Sequence, residues 1–226
     1  MAPQVYKLQK IVFAVKHQAE KFLNGITSNA LDCPHSAFLN FHGKIVAVFD
    51  QLKAADDTYF IVIEDQFSDS LMRHLEMYIR LSRVVVAREN FHVYFDLKGD
   101  YQKENGEYTI PQKKGQLVLT SKILSQTVSQ EEFTLFRLKN NIPVHGIDFS
   151  DEMVLNVSAE DFVSFSKGCF LGQEFVAKVN SRSMPSWKLV VRAENELNGD
   201  ERQAMTSKTF DPATGKTLGF VFVPNR

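Results

Sequence analysis

The sequence predicts an α+β protein in which helices cover one face of a largely antiparallel sheet. Three observations in the first hundred residues predict this class. Apolar runs such as residues 11–15 have the composition of buried strands. From Phe67 to Tyr78 an apolar residue recurs about every fourth position, which is helical spacing. A glycine-containing turn joins two of the strand runs, and the order strand, helix, strands, helix, strand fits an α+β sandwich.

The elements of this first part follow one another closely along the chain. Residues 17–24 form a short predicted helix with Phe22 and Leu23 facing inward, and Gly25 is the predicted stop at its C-terminus. A hairpin turn is predicted at residues 40–43. The predicted strands are residues 11–15, 37–41, 44–52, 59–64, 83–88 and 91–97.

The second part of the chain begins with a polar, glycine-containing stretch at residues 98–106, which is typical of a loop or a joint between subdomains. Ser129 is the predicted cap of a helix, because Glu131 and Glu132 suit the first turn of that helix. Another helix is predicted over residues 172–180. The remaining predicted strands are residues 108–110, 116–120, 187–191 and 218–223.

Composition and charge narrow the classes of function. The 226 residues are enough to bury a sizeable core, and no apolar run is long enough to span a membrane. The net charge of −1 argues against broad, direct nucleic-acid binding, which needs many contacts from Lys and Arg to phosphate. With no recognisable export signal, Cys33 and Cys169 are predicted to be free thiols in a reducing, cytoplasmic location.

Residues 167–174, the signature segment, have an unusual composition. Gly168 and Gly172 bracket Cys169, so the backbone there can approach another group closely or adopt positive φ. Cys169 precedes a predicted helix start and lies near Lys167, and both features favour a thiolate. The alternative is a strand-to-helix turn with a small, inert, buried residue at its apex.

The signature segment resembles the motif Lys-Gly-Cys-aromatic-x-Gly-Gln-Glu of the YgfZ-type folate-binding proteins, which belong to the glycine-cleavage T-protein superfamily. All seven specified positions match. The matching residues are Lys167, Gly168, Cys169, Phe170, Gly172, Gln173 and Glu174. Similarity continues at residues 20–29, 43–44, 137–143 and 176–178, and it covers residues 5–97 and 129–192 in all.

This resemblance implies an architecture. It implies two ferredoxin-like halves with antiparallel sheets and a small C-terminal β-barrel, arranged around a central opening that binds tetrahydrofolate. Because residues 98–128 are too few for a full second half, that half is expected to be abbreviated. The expected division is a folate-binding domain over residues 1–184 and a small β segment, an incomplete barrel, over residues 185–226.

The resemblance also implies a role without turnover. The protein would bind folate and support iron–sulfur cluster assembly or repair in client enzymes, including enzymes that modify transfer RNA. Its expected partners are folate and iron–sulfur client or assembly proteins. A stably bound metal is not expected, because the single thiolate of Cys169 is too few ligands for a cluster that normally takes four.

A pterin presents two neighbouring N–H donors, so its site needs a carboxylate or amide oxygen deep in an apolar cleft. The resemblance places this residue shortly before the signature segment, where Asn156 and Glu152 are the candidates. The alternative is that Asp151 and Glu152 form a solvated turn. Lys178 stands where the family has an arginine, and with Arg182 it offers positive charge for the folate tail.

Two other functions remain open, namely a folate-dependent aminomethyltransferase and a structural or interaction domain without a ligand. In the catalytic T-proteins that the chain resembles, an aspartate lies early in the strand that follows the glycine pair. Here Ala47 and Val48 occupy that place, and Asp50 comes later at a different level of the strand. Without that carboxylate, aminomethyl transfer loses its orienting group or general base.

Overall fold

The structure is a computed structural model that describes residues 3–182 and 184–225, and it confirms the α+β class. Three antiparallel sheets are formed within these ranges. The strands are β1 (Val5–Lys7), β2 (Lys10–Lys16), β3 (His35–Leu39), β4 (Ile45–Ala55), β5 (Thr58–Glu64), β6 (Val85–Glu89), β7 (His92–Asp96), β8 (Tyr108–Pro111), β9 (Gln116–Thr120), β10 (Trp187–Ala193), β11 (Thr206–Asp211) and β12 (Lys216–Pro224).

The helices are α1 (Ala19–Ile26), α2 (Ser68–Ser82), α3 (Gln130–Lys139), α4 (Val154–Val157), α5 (Ala159–Phe162), α6 (Gln173–Arg182) and α7 (Gly199–Ala204). Within the described ranges, none of them is long and apolar enough to cross a membrane.

The first sheet has the strand order β3-β4-β5-β2-β6, and α1 and α2 cover one of its faces. Successive side chains of a strand point to opposite faces. Ile11, Phe13 and Val15 of β2 therefore pack with the apolar faces of the two helices. The predicted arrangement of helices on one face of an antiparallel sheet is confirmed for this part of the chain.

The other face of the first sheet packs against a second sheet of order β1-β7-β9-β8. Val12 and Ala14 of β2 enter this shared core. Helix α3 packs on the second sheet through Phe133, whose ring stacks on Tyr6 with 4.3 Å between centroids. Strands of the second sheet therefore cover part of the face opposite the helices.

The C-terminal segment forms a three-stranded sheet of order β10-β12-β11. Leu189 and Phe220 of this sheet share a core with Leu39 of β3 and Val154 of α4. The segment is thus packed against the rest of the molecule. The ferredoxin-like halves, the barrel and the division after residue 184 stay predictions.

The predicted boundaries of the first helix are wrong at both ends. His17 and Gln18 have positive φ, and α1 begins only at Ala19, where Asp57 accepts the N–H groups of Gln18 and Ala19. Gly25, the predicted stop, lies within α1. The helix continues to Ile26 because that side chain belongs to the buried face.

A buried ion pair fastens the C-terminal sheet to α3. Arg137 Nη1 donates to Asp148 Oδ2 at 2.7 Å, and both side chains are almost fully buried. The other oxygen of Asp148 accepts hydrogen bonds from the hydroxyls of Thr206 and Ser207 of β11. Because Arg137 also donates to Ser207, the four side chains form one closed network between α3 and β11.

We expect Arg137→Met to lower the free energy of unfolding by about 3–5 kcal/mol, because it leaves the buried charge of Asp148 uncompensated. Urea denaturation measures this loss. Lys216→Met is the control, since it removes an ion pair with Glu196 in which both side chains are about half exposed. A loss for Arg137→Met as small as that of the control would contradict the structural role of the network.

Candidate ligand-binding site

A cavity of about 250 Å³ lies between the first sheet, the second sheet and the loop after α3. It occupies the junction between the core shared by the two sheets and the core beneath the C-terminal sheet. Much of its wall is aromatic or aliphatic. The apolar lining includes Tyr6, Phe49, Phe95, Phe133, Ile142 and Phe162.

One wall of the cavity is polar. Lys10, His35, Asp50 and Glu64 come from four neighbouring strands of the first sheet, and we call them the polar row. Strand alternation places all four on the face opposite α1 and α2. Lys10 is paired directly with Glu64 in the β2–β5 ladder, and His35 is paired with Asp50 in the β3–β4 ladder.

The polar row is connected by short contacts. Lys10 Nζ donates to Asp50 Oδ2 at 2.9 Å and lies 3.2 Å from Glu64 Oε1. Asp50 Oδ1 lies 2.9 Å from His35 Nδ1 and accepts a hydrogen bond from Gln112 at 3.0 Å. Both oxygens of Asp50 are therefore in use.

These contacts fix the charge state of Asp50. Burial alone would raise the pKa of Asp50, but the charge of Lys10 and the hydrogen bond with His35 outweigh it and hold that pKa well below its usual range. Burial likewise opposes the charge of Lys10, yet Asp50 and Glu64 raise the pKa of the ammonium group. A carboxylate held ionised in this way is a weak proton acceptor.

His145 lines the same cavity and is only 2% exposed. Its ring stacks on Phe67 with 3.7 Å between centroids, and Phe149 lies at 5.2 Å. Burial, together with the charge of Lys10, lowers the pKa of His145 to about 4, so the ring is neutral near pH 7. Within the described ranges its Nδ1 has no hydrogen-bond partner. Native proteins rarely leave a buried polar atom in that state without a ligand, ion or water nearby.

Lys167 of the signature segment forms hydrogen bonds to the protein backbone. Its ammonium donates to the carbonyl oxygens of Thr27 at 2.6 Å and Asn29 at 2.9 Å, and burial lowers the pKa of Lys167 to about 8. It also lies 5.5 Å from the centre of the Phe170 ring, which is buried. Lys167 therefore holds the turn that follows α1.

That turn reaches the cavity wall. The Ser28 hydroxyl donates to the carbonyl oxygen of Phe162 at 2.6 Å, and the Asn29 amide donates to the carbonyl oxygen of Asp161 at 3.0 Å. Both Asp161 and Phe162 line the cavity. The signature segment is thus joined to the cavity by hydrogen bonds through residues 27–29, although none of its residues lines the cavity.

The two signature glycines differ. Gly172 has φ +85°, and a Cβ there would collide with the carbonyl oxygen of Asn40 in the hairpin turn. Gly43 in that turn has φ +70°, and its Cβ would lie 2.8 Å from Val176 Cγ2 of α6. Gly168 has neither a positive φ nor a neighbour within 4 Å of such a Cβ. The predicted close approach of the backbone is found at Gly172 and not at Gly168.

Helix α6 begins at Gln173, and Glu174 is exposed in its first turn. Cys169 lies four residues before this helix and its side chain is exposed, so it is not the buried apex residue of the alternative interpretation. Cys169 is absent from the cavity lining, however. The thiol is open to solvent at a place separate from the cavity.

The residues predicted to recognise the pterin lie elsewhere. Asn156 donates to Glu152 at 3.3 Å, both side chains are half-buried, and neither lines the cavity. The Glu152 carbonyl accepts the N–H of Ile45, which ties this segment to the start of β4. Asp50 lies five residues further along that strand, about 17 Å away at the rise of an extended chain. Asn156 and Glu152 thus lie outside this cavity, and their role as pterin-binding residues stays a prediction.

The predicted cations for the folate tail, Lys178 and Arg182, are exposed on α6 and do not line the cavity. Ala47, at the position of the T-protein acid, is fully buried in the core beneath the helices. Val48 lines the cavity but is apolar. Neither position offers a carboxylate to a bound ligand.

The sequence patterns did not predict that Lys10, Glu64 and His145 line the cavity. Lys10 and Glu64 flank apolar strand runs, where charged residues are common, so nothing local distinguishes them. Only the pairing of β2 with β5 brings them together.

We expect Gly172→Ala to lower the free energy of unfolding by about 1–3 kcal/mol, because an alanine there is strained at positive φ and meets the Asn40 carbonyl. Gly168→Ala is the matched control in the same segment and should change it by less than about 0.5 kcal/mol. Thermal or urea denaturation of the two variants measures the change in the free energy of unfolding. Equal effects would show that the signature glycines are interchangeable.

We expect Cys169 to react with iodoacetamide faster than Cys33 at neutral pH. Cys169 is exposed, whereas Cys33 is partly covered and its pKa is raised, first by burial and then by the charge of Asp32, so less of it is thiolate. Peptide mass analysis over time measures both rates, and denatured protein is the control in which the difference should shrink. Faster labelling of Cys33 would contradict this arrangement.

Comparisons with known proteins place the fold. No protein-family model matches the sequence. An uncharacterized protein of Haemophilus influenzae is 24% identical over 200 residues, which cover 80% of this chain and 71% of that protein. The crystal structure of the glycine cleavage system aminomethyltransferase T from Bartonella henselae superposes with a TM-score of 0.73 at 12% identity, covering 97% of this chain and 78% of that one. The chain therefore has the fold of this aminomethyltransferase T.

Proposed function

We propose that the protein binds tetrahydrofolate in the central cavity and transfers no group from it. The observation that carries this proposal is the pairing of apolar, aromatic walls with the polar row, in a cavity that His145 also lines. The buried Nδ1 of His145 has no hydrogen-bond partner in the described ranges. Flat heterocycles pack well against aromatic side chains, and a few placed polar groups fix their orientation. A reduced pterin has both an apolar ring face and an edge of N–H donors.

The shared fold supports the arrangement of the sheets that enclose this cavity. The superposition covers nearly the whole chain, so the likeness extends to the arrangement of the sheets around the cavity. At 12% identity it argues for the architecture alone. Folate as the ligand rests on the cavity chemistry and on the resemblance of the signature segment.

The absence of group transfer rests on the β4 side chains. Ala47 points into the apolar core and Val48 presents an apolar side chain to the cavity. Asp50, the carboxylate nearest along the strand, is held ionised by Lys10 and His35 with both oxygens occupied. The described part of β4 thus lacks a free carboxylate that could orient or deprotonate the reacting amine.

The supporting role toward iron–sulfur enzymes rests on Cys169 and its connection to the cavity. The thiol is exposed, and the turn that Lys167 holds is hydrogen-bonded to the cavity wall. A ligand in the cavity therefore contacts a wall that is tied to the segment presenting the thiol. One thiolate cannot hold a cluster by itself. We therefore propose transient contact with iron–sulfur client or assembly proteins, including those serving transfer-RNA-modifying enzymes.

The fold likeness favours a second candidate, a folate-dependent aminomethyltransferase. The two functions share the ligand and differ in turnover. A binding assay and a turnover assay on the same protein preparation therefore distinguish them. A structural domain without a ligand differs from both in showing no binding.

Anaerobic calorimetric titration with tetrahydrofolate tests the proposal. We expect saturable binding by the wild-type protein and weaker binding by Val48→Phe, which narrows the cavity. Supplied with an aminomethyl-lipoyl carrier, the same protein should form no methylene-tetrahydrofolate above background. Lack of binding would reject the folate proposal, and turnover of about 1 per second or more would establish the transferase.

A further inference from the structure

Three carboxylates line the central cavity, namely Asp50, Glu64 and Asp161. A ligand edge with two adjacent N–H donors needs a carboxylate that is accessible, held in place and not already saturated with hydrogen bonds. These three side chains differ in how many of their oxygens are bonded and in how fully a cation balances their charge.

Asp50 and Asp161 are engaged. Asp50 accepts from Lys10 through one oxygen, and its other oxygen contacts His35 and Gln112. Asp161 Oδ2 forms an ion pair with Lys113 at 2.6 Å, a cation that it shares with no second carboxylate among the described residues. Its Oδ1 accepts no hydrogen bond within those residues, so Asp161 is balanced in charge without being saturated. Each of them is matched in charge by a cation within 3 Å.

Glu64 is held but not saturated. Its Oε1 lies 3.2 Å from Lys10 Nζ, which is closer to Asp50 and divides one positive charge between two carboxylates. No hydrogen bond to its Oε2 is formed within residues 3–182 and 184–225, and its side chain is 15% exposed. Glu64 therefore combines a free acceptor oxygen with a negative charge that its shared cation balances only in part, whereas Asp161 has a cation of its own.

His145 is an independent sign of a ligand at this wall. It is almost fully buried, and its Nδ1 has no partner in the described ranges. Lys10, Glu64 and His145 line the same cavity. A heterocyclic edge placed here would meet a carboxylate and a neutral imidazole together.

From this we infer that Glu64 reads the paired N–H donors of a 2-aminopyrimidinone ring and that His145 supplies a further hydrogen bond to the same edge. The inference rests on the proposed function and specifies it, since the pterin of tetrahydrofolate carries this ring. It assigns recognition to a residue of β5 and not to the segment before the signature.

The test compares Glu64→Gln with Asp161→Asn, a matched loss of one carboxylate charge on the same cavity. Anaerobic titration with tetrahydrofolate should show binding to Glu64→Gln weakened roughly ten- to a hundred-fold, because one acceptor oxygen and its charge are lost. Asp161→Asn should weaken it by less than about three-fold. Urea denaturation of both variants verifies that they are folded.

A second arm uses the wild-type protein alone and does not depend on the stability of any variant. The 2-desamino analogue of tetrahydrofolate lacks one of the two N–H groups and should bind at least about ten-fold more weakly. Equal binding of the two ligands, or unchanged affinity in Glu64→Gln, would overturn the assignment while leaving folate binding intact. No binding of tetrahydrofolate to the wild-type protein would overturn both proposals.

Discussion

The polar wall of the cavity depends on the ion pairs that the ammonium group of Lys10 forms. This ammonium group lies at the start of β2 and is shared by Asp50 and Glu64 from two other strands of the same sheet. Buried charges are costly unless they are paired, and removing this cation would leave two carboxylates without it beside an apolar core. The antiparallel order of β4, β5 and β2 makes this arrangement possible. Because these charged side chains lie at this end of the sheet, an apolar core cannot form there.

The signature segment contains residues that stabilise the fold and one residue, Cys169, that is exposed. Gly172 and Lys167 shape the protein, the first by admitting the Asn40 carbonyl and the second by holding the carbonyls of Thr27 and Asn29. Cys169 lies between them and remains exposed. Packing therefore accounts for Lys167 and Gly172 on either side of the thiol, whereas the exposed thiol is available for the contacts proposed above.

Local signals predicted much of the fold. The continuous apolar run at residues 11–15 located β2 to within a residue at each end, and Ser129 with Glu132 forms the capping box that begins α3. Strand β11 was missed because its polar side chains lack an apolar alternation. The residues that line the cavity could not be predicted from local sequence patterns, because strand pairing brings them together. Lys10 and Glu64 meet only through strand register. The family resemblance suggested Asn156 and Glu152, and the length of β4 keeps their segment away from the polar row.

Binding of the ligand against the polar row is tested most directly by a crystal structure of the protein grown anaerobically with tetrahydrofolate. We expect electron density for the pterin within the cavity, with its 2-amino edge against Glu64 and its ring near His145. Density for the pterin beside Asn156 and Glu152, with the polar row left to protein and water alone, would contradict it.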